Sequence, residues 1–171
     1  MTAQRLVESS RPTFRWEPSE AARDWQFIVL HHSATASGSV ESIHREHGQR
    51  KDRYGNNWLG IGYHFVIGNG SGMEDGEISP TFRWKGQIHG AHSGSTTHNA
   101  TGIGICVIGN FENHPPSERQ LTALTELLIA LSRNYNIPES RIIPHSVVRA
   151  TACPGSKFPL KELLQRIKSE S

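Results

Sequence analysis

The segment HSVVRATACPG (145–155) carries His145 and Cys153, and imidazole and thiolate are both zinc-ligand types. The gap between them is too long for one helical face, so a loop must bring them together. Pro154-Gly155 then turns the chain away. Two ligands do not hold a zinc ion, so a third donor must come from elsewhere. His31 is best placed, because it ends the apolar run FIVLHH (27–32) and a strand end is a rigid platform for a ligand. Two imidazoles and one thiolate would leave one coordination position for water, as catalytic zinc sites do and structural ones do not. The spacing alone also fits a buried imidazole and a small apolar thiol. Thr151 adds a hydroxyl to the same segment.

The elements that must position these groups follow from periodicity. Residues 26–31 read as a buried central strand, and alternation puts His32 on the opposite face from His31, as a structural or outer residue. Ser39 can cap a helix running to about residue 49, with Val40, Ile43 and His47 on one face; His47 reads as a hydrogen-bonded core residue. Residues 61–67 read as a strand with Tyr63, Phe65 and Ile67 on one face, followed by a turn at Asn69-Gly70-Ser71-Gly72. Residues 73–78 and 82–84 read as short strands around Pro80, 93–101 as a polar loop, and 103–108 as a second buried strand. Ser117 and Gln120 form a capping box for a helix over 118–134, whose leucine stripe marks it as scaffold. Ile142–Ile143 leads into the ligand segment, and 160–167 forms a final amphipathic helix. Strands and helices mix, so the fold class expected is α/β: a single three-layer domain with a central mixed β-sheet flanked by helices and zinc in a surface groove. Residues 1–24 are read as an N-terminal arm and 25–171 as the domain.

With 171 residues, 35% hydrophobic and 20% charged, the chain is long enough for one cored domain. The net charge of +2 and the absence of a Lys/Arg stripe argue against nucleic acid as a partner. No apolar run reaches the roughly 18 residues of a membrane helix. The start, MTAQRLVESSRPTF, has no apolar core of a signal peptide, so none is expected in this sequence. Cys106 and Cys153 could form one disulfide; if Cys153 is a zinc thiolate, Cys106 is a free thiol.

FIVLHH (27–32), GYHFVIG (62–68), GAH (90–92), GIGICVIGNF (102–111) and the closing H-x5-T-x-CPG occur in this order. The ordered set resembles the zinc amidases that include phage lysozyme-type amidases and peptidoglycan recognition proteins, over roughly residues 25–165. The resemblance implies a single zinc ion on His31, His145 and Cys153. It implies a catalytic role near the metal for Tyr63 of GYHF and a positioning role for Thr151, where relatives carry Thr or Lys. It implies groove contacts to substrate from Trp58, His92 and Asn99. The substrate implied is peptidoglycan or its muropeptide fragments, cut at the amide between the lactyl group of N-acetylmuramic acid and L-alanine, by a protein expected to be a monomer.

The family pattern also frames the rival readings. Non-catalytic recognition modules typically lose the third ligand, often to Ser, whereas Cys153 is present here. A structural zinc domain would need a fourth ligand, from His32, His64 or His92. Some relatives that process wall fragments inside the cell carry a Glu where this chain has Cys106, so action on the wall after export or lysis is expected. Intracellular recycling of small muropeptides, which the missing signal peptide favours and Cys106 and Thr151 count against, is the alternative. A Gly-Arg pair common in the family is displaced here, with Arg83 in an altered register.

Overall fold

A computed structural model describes residues 14–170. In chain order its elements are β1 (Phe27–His32), α1 (Val40–Gly48), β2 (Phe65–Ile67), β3 (Ile78–Pro80), α2 (Phe82–Lys85), α3 (Thr96–Thr101), β4 (Gly102–Val107), α4 (Glu118–Tyr135), β5 (Ile142–Pro144), α5 (His145–Val148) and α6 (Leu160–Glu170). The strands form one five-stranded sheet in the order β3-β2-β4-β1-β5. β3 runs antiparallel to β2, and the other pairings are parallel. Both edge strands end in a proline, Pro80 and Pro144, which suits edges because proline has no N–H for a ladder.

Alternation divides the sheet into two unlike faces. Ile28, Leu30, Phe65, Ile67, Ile103, Ile105 and Val107 pack against Leu124, Leu127, Leu128 and Leu131 of α4 and Leu163 and Ile167 of α6. Each such side chain contributes about 1.5–3 kcal/mol on full burial, so this is the stabilising layer. On the other face Val66, Cys106 and Ile108 meet Ile43 of α1. That second apolar cluster is small. Val29 and His31 alternate onto the same side, which leaves part of it to polar side chains. Helices thus flank a mixed sheet on both sides, as expected.

The caps form as the sequence implies: Ser39 accepts from Ser42 N ahead of α1, and Ser117 and Gln120 form their capping box ahead of α4, with Ser117 accepting from Gln120 N. The strand expected over 61–67 is shortened to Phe65–Ile67. The preceding backbone is diverted, with Gly62 N donating to His47 Nδ1 at 3.0 Å and Ala91 N to Gly62 O at 3.0 Å. The short strand expected at 73–78 begins only at Ile78. Residues 82–84 are helical rather than extended, because Thr81 caps them by accepting from Arg83 N. The polar loop expected at 93–101 contains α3, capped by Ser95. Residues 1–13 of the expected arm lie outside the described residues. From Phe14 onward the arm packs on the domain: Trp16 is buried, sits edge-on to Phe65, and accepts at its carbonyl from Trp84 Nε1 at 2.7 Å.

The helical turn of α2 buries Arg83, only 1% exposed. Its Nε donates to Ile61 O at 2.6 Å and its Nη1 to His89 O at 2.6 Å. The guanidinium therefore ties the segment leading into Tyr63 to the segment leading into His92. Arg83→Met keeps the stem but leaves two carbonyls without their charged donor. It should lower the unfolding free energy by about 2–4 kcal/mol in denaturant titration.

Candidate metal centre

His31 lies on β1 and is 1% exposed, His145 opens α5, and Cys153 follows in the loop beyond it. One donor atom from each lies within 4.8 Å of the others. His31 Nδ1 is 3.7 Å from Cys153 Sγ. Zinc bonds of about 2.0–2.1 Å to nitrogen and about 2.3 Å to sulfur, at a tetrahedral angle, place such atoms about 3.6 Å apart. The residues present therefore fit a zinc ion, and no carboxylate belongs to the cluster. β5 and the turn after it bring the cluster together. β5 pairs with β1 through Leu30 and Pro144, so His145 emerges beside His31, with ring centroids 4.5 Å apart. Ser146 N then donates to Cys153 O at 3.0 Å and folds the loop back.

The electrostatics suit a cation. Burial, then the neighbouring His92 and His145, hold His31 well below the ordinary imidazole range, so its lone pair is free at neutral pH. Burial also lowers His145, against a hydrogen bond from its ring to Ser93 O. Burial raises the Cys153 thiol to about 11, offset in part by the backbone N–H of His32. That N–H donates to Cys153 Sγ at 3.4 Å and remains available to a thiolate once a metal displaces the proton. His32 itself turns away, and its Nδ1 accepts from Phe111 N. It lies outside the donor cluster.

The other sequence-predicted residues fall into two groups. Tyr63 stands over the cluster, with its ring centroid 5.1 Å from that of His31. Burial is the main cause that raises its phenol well above the ordinary value, followed by Cys106 and Cys153. It packs against the small apolar cluster that contains Cys106, which register places beside His31 on β4. Tyr63 also borders a cavity of about 500 Å³ lined by Ser33, Thr35, Ser39, Ser42, Glu46, His47 and Arg50. Thr151 is exposed, and its Oγ1 accepts from Cys153 N at 3.2 Å.

The three residues expected at the groove are placed less directly. Trp58 is half-buried behind His47, edge-on at 5.7 Å, with Arg50 over its ring. His92 is buried beneath His31, and both of its ring nitrogens are engaged inside the protein. Asn99 Oδ1 accepts from His92 N, Ser93 N and Ser93 Oγ and so organises the 92–99 loop. Ser93, which no sequence signal marked, accepts at its carbonyl from His145 Nε2 at 3.1 Å. A main-chain acceptor leaves no trace in residue type, which is why motif reading passed over it.

Residues 21–156 match the N-acetylmuramoyl-L-alanine amidase family. A peptidoglycan-recognition protein of Drosophila simulans is 32% identical over 152 residues, which span 84% of this chain and 72% of that protein. The N-acetylmuramoyl-L-alanine amidase LysC of Clostridium intestinale URNW superposes with a TM-score of 0.71 at 30% identity, covering 89% of this chain and 93% of that one. A structure of the peptidoglycan recognition protein LCa and LCx ectodomains bound to tracheal cytotoxin superposes with a TM-score of 0.62 at 27% identity, over 88% of this chain and 87% of that one. No helix among the described residues is long and apolar enough to cross a membrane.

The donor geometry yields a direct expectation. Titration of metal-free protein with zinc should saturate at one ion per chain. Cys153→Ser should bind zinc at least about 10-fold more weakly, because a Ser hydroxyl stays protonated where a thiol yields its proton to the metal. Isothermal titration against a competing chelator measures both.

Proposed function

We propose that this chain, which belongs to the N-acetylmuramoyl-L-alanine amidase family, is a zinc-dependent hydrolase. Its substrate is the amide between the lactyl group of N-acetylmuramic acid and L-alanine, in peptidoglycan or its muropeptide fragments. The observation that carries this reading is the complete donor set: His31, His145 and Cys153 are all present and within reach of one ion. The similarity to an N-acetylmuramoyl-L-alanine amidase and to peptidoglycan recognition proteins supports the choice of substrate.

Bound to those three residues, zinc would supply Lewis-acid polarisation of the amide carbonyl and activation of a water. Hydrolysis of the amide adds water across the C–N bond, forming the lactyl carboxylate and releasing the alanine amine with a proton. The chain's own residues supply the rest. Tyr63 is a neutral phenol at working pH, as any tyrosine is, and burial pushes its ionisation further up, so it can donate a hydrogen bond without bringing charge. Its place above His31 suits donation to the oxygen where charge develops. Thr151 holds the backbone of Cys153, and its hydroxyl hydrogen is free to orient substrate. The cavity beside Tyr63, lined by Ser hydroxyls with Glu46 and Arg50 at its border, offers a polar bed for the stem peptide. Trp58 supports that wall through His47. The site of action proposed is the cell wall.

The decisive experiment incubates the protein with intact sacculi and with soluble muropeptides and identifies the products by mass. Release of free stem peptide and lactyl-bearing glycan is expected, with loss on chelation and recovery on adding zinc. Binding without product would make the chain a recognition module. Activity that persists after verified metal removal would sink the metalloenzyme reading. Tyr63→Phe should keep the fold and the zinc while lowering turnover by about 10²–10³-fold, the usual loss for one oxyanion donor. A variant that hydrolyses at the wild-type rate would reduce Tyr63 to packing.

A further inference from the structure

We propose that the dipeptide His92–Ser93 is the positioning element of the metal centre, fixing both ligand imidazoles in the tautomer that presents Nδ1 to the ion. The proposal rests on the reading of His31 and His145 as ligands. It concerns how the fold prepares them before any metal arrives.

The argument follows hydrogens from a fixed end. Gly102 O can only accept, and it lies 3.2 Å from His92 Nε2, so that nitrogen carries the hydrogen. His92 is buried, and no carboxylate is among its hydrogen-bond partners. It is therefore a neutral imidazole, with its one N–H already engaged. Its Nδ1 holds a lone pair, 2.9 Å from His31 Nε2. His31 must then donate from Nε2, which leaves its Nδ1 bare on the side of Cys153 Sγ. A separate chain of the same kind ends at His145. Ser93 O can only accept and lies 3.1 Å from His145 Nε2, so His145 also keeps Nδ1 bare.

Adjacent residues thus direct both ligands, and a third side chain holds those residues still. Asn99 Oδ1 accepts from the backbone N–H of His92 at 3.0 Å and of Ser93 at 2.9 Å. The strand beneath is cleared for the ring as well. A Cβ at Gly104 would come within 2.6 Å of the His92 imidazole, and one at Gly90 within 2.3 Å, so any side chain at either position would push the ring off. An imidazole buried only for packing could take any orientation that satisfied its nitrogens. Here both relays run in the direction that empties the two nitrogens a metal needs.

The test reads tautomers without reference to activity. Metal-free protein labelled with 15N-histidine should show His31, His92 and His145 protonated at Nε2 in long-range proton–nitrogen spectra. In competition with a chelator, His92→Leu should bind zinc about 10–100-fold more weakly, the usual loss when the partner of a ligand histidine is removed. His92→Asn, whose Oδ1 lies near the position of the lost Nδ1, should recover most of that affinity. A metal-free wild type with His31 protonated at Nδ1 would overturn the proposal. So would a folded His92→Leu variant whose zinc affinity stays within about twofold of wild type. If His92→Leu does not fold, the wild-type spectrum and the Asn variant still decide. If wild-type protein binds no zinc, the metalloenzyme reading falls, while the spectrum still reports whether the dipeptide sets the tautomers.

Discussion

Burying imidazoles on a sheet face requires a partner for every ring nitrogen, and the groove side of this domain is arranged around that requirement. His64 bridges the N–H of Gly104 at 2.9 Å and Ile88 O at 3.0 Å. His47 takes the N–H of Gly62, and His92 the ring of His31. These rings occupy backbone groups that would otherwise join ladders or turns. That is why β2 starts late and why the segment before it runs as irregular chain between α1 and the loop after Gly90. Arg83 serves the same end from below, with its guanidinium on the carbonyls of Ile61 and His89.

The two faces of the sheet therefore have different roles. On one, branched side chains from β1, β2 and β4 close against the leucines of α4 and α6, which supply most of the apolar burial. On the other, β4 alternates Gly104 and Cys106 into positions where larger residues would fill the space under the ligands. Gly104 admits the His92 ring, and Cys106 lies between His31 and Val66 in register, in the cluster against which Tyr63 packs. Small residues on one face of a strand whose other face is all Ile and Val are what a site built on a core strand requires.

The charge state follows from the same burial. His31 and His92 are held neutral, the latter down to about 3, and the metal-free thiol of Cys153 is pushed up to about 11. The cluster thus offers lone pairs and one exchangeable proton, with no fixed negative charge of its own. Such a donor set suits a divalent cation. Its arrival would convert the thiol to thiolate, stabilised by the His32 N–H already aimed at the sulfur. The relatives of this chain include both a recognition protein and an amidase, and the proposed function rests on the sulfur at position 153 to choose between them.

The sequence by itself determined the local and periodic features. The apolar runs of β1 and β4, the leucine stripe and cap of α4 and the cap of α1 are written in residue type and spacing, whereas the spacing of His31, His145 and Cys153 left a buried imidazole and thiol as an alternative. The ordered motifs pointed to the family. Tertiary structure alone decided what depends on partners distant in the chain. Phe82–Lys85 looks like an edge strand locally, yet it coils because Thr81 caps it and Arg83 finds carbonyls on two other segments. Thr96–Thr101 has loop composition, yet Ser95 caps it into a helix whose Asn99 holds the loop before it. The motif GAH marked His92 as important and suggested a groove wall. Its place under His31 is set by β1 and β4 lying side by side, and the direction of its hydrogen bonds by a carbonyl at Gly102 that no side-chain pattern can encode.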